Sequence, residues 1–142
     1  MLDNFFTPKS IAVIGASRDS NKVGHVILKN LLDGKFKGKI FPINPNTEEI
    51  LQLPCAKSVL KVKEKIDLAI ICVPAELVMK SVQECNKKQI KNLVIITAGF
   101  SEVGNSKLEN TLRTFLQKNK ISCVGVNCLG IFDAYNSLDA LF

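Results

Sequence analysis

Five short, nearly continuous apolar runs, each stopped by a turn-forming segment, constrain this chain more than any other feature. They are residues 10–14 ended by Gly15, 39–43 ended by Asn44-Pro45, 68–73 ended by Pro74, 92–97 with Gly99 just beyond, and 121–126 before Asn127-Cys128-Leu129-Gly130. Unbroken hydrophobicity, rather than alternation, marks a strand buried on both faces. Between the runs lie stretches with helical spacing. Residues 23–32 are apolar at 23, 26, 27, 28, 31 and 32 and stop at Asp33-Gly34; Pro74-Ala75 opens a helix to about Lys88 with Leu77, Val78, Val82 and Cys85 on one side. Residues 106–120 repeat the pattern with Leu108, Leu112, Phe115 and Leu116, and either Asn105 or Ser106 can cap that helix. Strand followed by helix, repeated in this way, predicts a single three-layer α/β domain with a mostly parallel sheet of five or six strands.

Some stretches carry weaker signals. Pro42 points to interrupted pairing near the end of the second strand. Residues 45–66 have little periodicity, and nothing after Gly130 reads as a convincing element. The apolar end, Leu141-Phe142, reads as a cut inside a longer protein or as a segment that packs on a partner.

A length of 142 residues suits one core, and a 46% hydrophobic share is too high for a disordered chain. No apolar run is long enough to span a bilayer, so no membrane is expected. Met1 leads into Asp3 and Asn4 without a basic stretch and apolar core, so the expected location is the cytoplasm. The net charge of +6 favours an anionic partner. Nucleic acid is not that partner, because Arg18 and Arg113 are the only arginines, Tyr135 is the only tyrosine and tryptophan is absent. Lysines at 35, 37, 39, 57, 61, 63 and 65 read as a solvated face. Five cysteines without a C-x-x-C pair, beside a single histidine, provide no zinc site. Cys72 and Cys123 read as small core residues.

In an open parallel sheet the ligand crevice lies outside the carboxyl ends of the strands. Those ends here are Gly15-Ala16-Ser17, Asn44-Pro45, Val73-Pro74-Ala75, Thr97-Ala98-Gly99-Phe100 and Asn127-Cys128, all small, turn-forming or polar apart from Phe100. Gly15 permits a tight turn, Ser17 supplies a hydroxyl and Lys22 a mobile positive charge. Gly24 lets the following helix pack close, with its first N–H groups aimed at a phosphate. Neither G-x-x-x-x-G-K-[ST] nor G-x-G-x-x-G is present. The second strand ends in Asn44, where an NAD site places a carboxylate for the ribose hydroxyls. Asparagine tolerates a phosphate on that ribose, which favours NADP or coenzyme A over NAD. His25, in the first turn of its helix, reads as a loop support rather than a phosphate acceptor. Cys128 reads as a turn filler.

Phe5-Phe6-x-Pro8-Lys9-Ser10-Ile-Ala-Val-Ile-Gly15-Ala-Ser17, followed by Lys22-Val23-Gly24, resembles the start of ADP-forming acyl-CoA synthetases. So do Ile43-Asn44-Pro45, Val73-Pro74-Ala75, Thr97-Ala98-Gly99-Phe100 and Asn127-Cys128-Leu129-Gly130, in order across residues 5–142. That family includes the α subunit of succinyl-CoA synthetase and the CoA-binding part of some protein acetyltransferases. The resemblance implies a Rossmann-like CoA-binding domain with coenzyme A as its cofactor. It implies that Gly15, Ala16, Ser17, Lys22 and Gly24 hold CoA phosphates and that Asn44 and Pro45 lie beneath the nucleotide. Val73, Pro74 and Ala75 would line the groove, with Thr97, Ala98, Gly99, Phe100, Asn127 and Cys128 near the reactive end. Two departures stand out: Val126 replaces the proline of Gly-Pro-Asn-Cys, and Asn46 replaces a lysine that often follows Asn-Pro.

The resemblance further implies a domain of an acid–CoA ligase that converts acyl-CoA, phosphate and ADP or GDP to acid, CoA and nucleoside triphosphate. The family's phosphate-carrying histidine belongs to a later domain and His25 does not match it, so residues 1–142 would carry no catalytic residue and would work with further domains or subunits. Two other readings stay open at this point: a standalone CoA-binding regulatory module or the CoA-binding part of a protein acetyltransferase, and an NADP-binding oxidoreductase domain.

Overall fold

The computed structural model describes residues 3–142, so Met1 and Leu2, where the reading for a leader begins, lie outside the described residues. In chain order the elements are α1 (Asp3–Phe6), β1 (Ser10–Ile14), α2 (Val23–Asp33), β2 (Lys39–Ile43), β3 (Glu49–Ile50), β4 (Leu53–Pro54), β5 (Leu68–Ile71), α3 (Ala75–Lys87), β6 (Asn92–Ile95), α4 (Ser106–Lys118), β7 (Ser122–Gly125), β8 (Gly130–Asp133) and β9 (Leu138–Leu141). Single 3-10 turns at Val59–Lys61 and Ser101–Val103 fill two connections. The main sheet has five strands in the order β2-β1-β5-β6-β7, with every neighbouring pair parallel. The fold is therefore the three-layer α/β architecture with a five-stranded parallel sheet that the strand–helix alternation predicts, and the Rossmann-like fold that the resemblance implies.

Successive residues of each strand point to opposite faces, and each face has its own core. On β1, Ile11 and Val13 meet Ile27, Leu28 and Leu31 of α2, whereas Ala12 and Ile14 join Val78 and Val82 of α3 and Leu112 of α4. All five residues of β1 are buried, as a central strand covered on both sides requires.

The chain after Gly130 does form an element. Strands β8 and β9 pair as an antiparallel hairpin and complete the layer beside α2, with Ile131, Leu138 and Ala140 buried. The side-chain amide of Asn30 on α2 donates to the carbonyl of Leu141 at 2.9 Å and fastens the hairpin to the helix. Each strand presents so few inward residues that its alternation is too short to stand out in the sequence.

Pro42 does not interrupt β2. It pairs opposite Val13 in register, and its carbonyl accepts the Ala56 N–H on the outer side of this edge strand. A missing N–H on that side costs the sheet no ladder bond. The Ala56 contact also orders the weakly periodic segment: Ala56 forms a parallel bridge with Ile43, and Ser58 caps the turn that follows. The β3–β4 turn uses Leu51 and Gln52 at φ 50° and 64°, without the Asn-Gly signal that would have announced it.

Candidate functional site

Strand β1 sends its helix, α2, to one face of the sheet, and its neighbour β5 sends α3 to the other. A crevice opens where such connections diverge. Gly15 turns the chain there at φ +91°, and a Cβ on it would lie 3.0 Å from the backbone of Cys72 and Val73. Gly24, at the start of α2, is closer still: a Cβ would fall 2.0 Å from the Gly15 carbonyl oxygen. Only glycine fits either position.

The result is a cleft of about 510 Å³. It brings together Gly15, Ala16, Ser17, Lys22, Gly24, Asn44, Pro45, Val73 and Pro74, nine of the positions the sequence singles out. Its loop is pinned from within. The Ser17 hydroxyl oxygen accepts the Asp19 N–H at 3.1 Å, and an Asp19 carboxylate oxygen accepts the Asn21 N–H at 2.9 Å. His25 lies 2.8 Å from the Ser17 carbonyl through Nδ1, which must therefore carry the proton. His25 is a loop support. At the start of α2 no side chain caps the helix and no acidic residue occupies the first turn, so its positive end faces the cleft uncompensated.

Asn44 closes the floor. Its side-chain amide donates to the Ala16 carbonyl at 2.8 Å, and its side-chain oxygen accepts the Asn46 N–H at 2.8 Å. An aspartate could make the second bond but not the first. The β2 end is thus neutral because it is tied to the glycine loop.

Four cleft residues on α3 escape the sequence reading: Leu77, Lys80, Ser81 and Glu84. Their spacing places them on one helix face, which a search for apolar stripes passes over. Leu77 is a correction: it was expected on the core side of α3 and is 46% exposed on the cleft. Lys57 is another. It stood among the solvated lysines, yet it lines the cleft beside Asn46.

The remaining predicted positions, Ala75, Thr97, Ala98, Gly99, Phe100, Asn127 and Cys128, lie outside that cleft but at the same carboxyl edge. They form a braced rim. The Thr97 hydroxyl donates to the Val73 carbonyl at 2.6 Å, and the Asn127 N–H to the Thr97 carbonyl at 3.0 Å. Glu102 accepts the N–H groups of Gly99 and Phe100, and these bonds hold its carboxyl below the usual range. Asn105, one of the two expected cap residues, does stand at the N-cap position of α4 but makes no side-chain cap bond; its side-chain amide donates to the Gly99 carbonyl at 3.3 Å. The Phe100 side chain is wholly buried in the core, which leaves only its backbone at the rim.

Two cysteines read as core residues are only half-buried. Cys72 packs against one core cluster while lining the cleft, and Cys123 packs against the other. Burial, reinforced by Cys128, pushes both thiols up to about 12. They remain neutral and unreactive. A larger depression of about 790 Å³ separates α3 from α4, but no strand end reaches it.

Residues 9–134 match the family described as CoA binding domain. Over 135 residues the chain is 53% identical to an ADP-forming acetate–CoA ligase of Methanocaldococcus jannaschii, covering 95% of this chain and 19% of that protein. It is 42% identical to the α subunit of ADP-forming acetate–CoA ligase II of Pyrococcus furiosus, covering 100% of this chain and 31% of that one. A solved structure of dinucleotide-forming acetyl-coenzyme A synthetase 1 from Ca. Korarchaeum cryptofilum, in complex with phosphate and ADP, superposes with a TM-score of 0.96 at 41% identity, over 99% of this chain and 30% of that one. The chain thus spans between about a fifth and a third of these relatives. A cleft at the switch point of a doubly wound sheet, in a sequence matched along most of its length, places the chain in the CoA-binding domain family.

Proposed function

We propose that the cleft binds coenzyme A and that the chain is the CoA-binding part of an ADP-forming acyl-CoA synthetase. The observation that carries this is the cationic cleft at the β1–β5 switch point, within a chain 53% identical to an enzyme of that activity. The CoA diphosphate lies at the open start of α2 beside Lys22. The adenosine extends toward Asn44 and Pro45, and the pantetheine runs along Val73 and Pro74 toward the rim of Thr97, Gly99 and Asn127. In the parent reaction acyl-CoA, ADP and phosphate are converted reversibly to acid, CoA and ATP, and CoA is a substrate. This chain's part is to fix the CoA and leave its thiol at the rim. Residues 1–142 are one domain of a longer ligase, working with its other domains or subunits in the cytoplasm. The fraction of each relative that the chain covers supports its being one part of a longer ligase.

Calorimetry with CoA, NAD and NADP tests the assignment. CoA is expected to bind, and NAD and NADP to bind far more weakly. Preference for NADP would turn the same cleft into an oxidoreductase site and overturn the assignment.

A further inference from the structure

We propose that Lys57, with Lys80 beside it, holds the phosphate on the adenosine ribose of CoA and makes the cleft distinguish CoA from its dephosphorylated form. This rests on the assignment of the cleft to CoA. In doubly wound nucleotide folds the end of the second strand meets the adenosine ribose; a carboxylate there takes the free hydroxyls, and a cation nearby accommodates a ribose phosphate. Here that strand end, Ile43-Asn44-Pro45-Asn46, carries no charge of either sign. The cation comes from elsewhere in the chain. Ala56 docks on the outer edge of β2, its N–H on the Pro42 carbonyl at 3.0 Å and its carbonyl on the Asn44 N–H at 2.9 Å. Lys57 is the next residue, so it leaves this bridge beside Asn44 and Asn46 and lines the cleft with them.

The segment is held there from the other side. The Ser58 hydroxyl donates to a Glu84 carboxylate oxygen at 2.6 Å and accepts the Leu60 N–H at 3.1 Å. Lys80 stands one helical turn before Glu84 on α3 and lines the same wall. Glu84 is the one carboxylate among the lining residues, and Ser58 already occupies one of its oxygens. Ion pairs among the described residues join Lys29 to Asp33, Lys39 to Glu64, Lys65 to Asp67 and Arg113 to Glu109; none involves Lys57 or Lys80. Lys22 reaches the cleft from the start of α2, whereas Lys57 reaches it from the connection after β4 and Lys80 from α3. Two separated cationic ends fit a ligand with two separated anionic groups, a diphosphate and a ribose phosphate.

Titrating CoA and dephospho-CoA into the chain and into Lys57→Ala, Lys80→Ala and Lys22→Ala tests this, with circular dichroism to establish that each variant is folded. The unmodified chain is expected to favour CoA over dephospho-CoA. Lys57→Ala is expected to lower CoA affinity about ten- to a hundredfold and leave dephospho-CoA binding unchanged, the size of a charge-assisted phosphate contact. Lys80→Ala moves the same ratio in the same direction, whereas Lys22→Ala weakens both ligands together. If the unmodified chain binds both ligands equally, or if Lys57→Ala keeps its preference, the proposal is wrong while the cleft remains a CoA site. Binding of neither ligand by the unmodified chain overturns the CoA assignment itself.

Discussion

Lys22 is the residue on which the phosphate end of the cleft depends for side-chain charge, because the other residues of its loop that line the cleft are Gly15, Ala16, Ser17, Val23 and Gly24, and Arg18 donates instead to the Glu49 carbonyl. Lys22→Ala is expected to weaken CoA binding by roughly one to two decades without lowering the unfolding temperature, since the side chain is exposed and packs on nothing in the core. The loss should shrink as salt rises. Lys61→Ala is the control, because Lys61 lies on the 3-10 turn outside the cleft. Calorimetry at two salt concentrations reads both. Equal losses in the two variants would mean that the net charge of +6 acts diffusely. At this scale Gly15, Ser17, Lys22 and Gly24 could be read from the sequence because a tight turn before a helix start is a local pattern. Lys57 and Lys80 could not, because a backbone bridge from Ala56 to Ile43 brings the one to the cleft and the helix face that carries the other is not an apolar stripe.

Among the elements, the amino ends of β1, β5 and β6 are joined through Asp67, at the edge opposite the cleft. Its carboxylate accepts the Lys9 N–H at 3.0 Å, the Ser10 hydroxyl at 3.3 Å and the Lys65 ammonium at 2.8 Å, and its backbone carbonyl accepts the Asn92 side-chain amide at 3.1 Å. Partial burial alone would raise its pKa, but the bonds from Lys65, Lys9 and Ser10 outweigh it and hold the carboxyl below its ordinary 3.8. A depressed folded value means stability that is present above the unfolded pKa and lost as the pH falls through the folded one. Asp67→Asn is therefore expected to cost about 1–2 kcal/mol at pH 7, read by urea unfolding, and less below pH 3. A gap that stays constant with pH would show that the charge of Asp67 is not what joins the strands. The central strands β1, β5 and β6 were legible because burial on both faces leaves continuous apolar runs, and the edge strands β2 and β7 because short apolar runs end there at turn-forming residues. The β8–β9 hairpin and the β3–β4 turn were not, since one shows only a few inward side chains and the other turns on leucine and glutamine.

For the whole molecule, the central claim is that CoA occupies the carboxyl edge of the sheet at the β1–β5 switch point. The order of the strands makes that edge the place where α2 and α3 part, and a fold with the same composition and a different order would have no cleft there. The strand–helix alternation reveals the layers and the parallel sheet, but the strand order and the closure of the cleft by the Ala56 bridge come only with tertiary structure. Amide resonance mapping on titration with CoA tests the claim most directly. The account predicts shifts concentrated at residues 15–24, 44–46, 57 and 73–75, weaker ones at 97–99 and 127, and none in the depression between α3 and α4. Shifts centred on residues 107–118, or spread over the exposed lysines without a focus at the glycine loop, would contradict it.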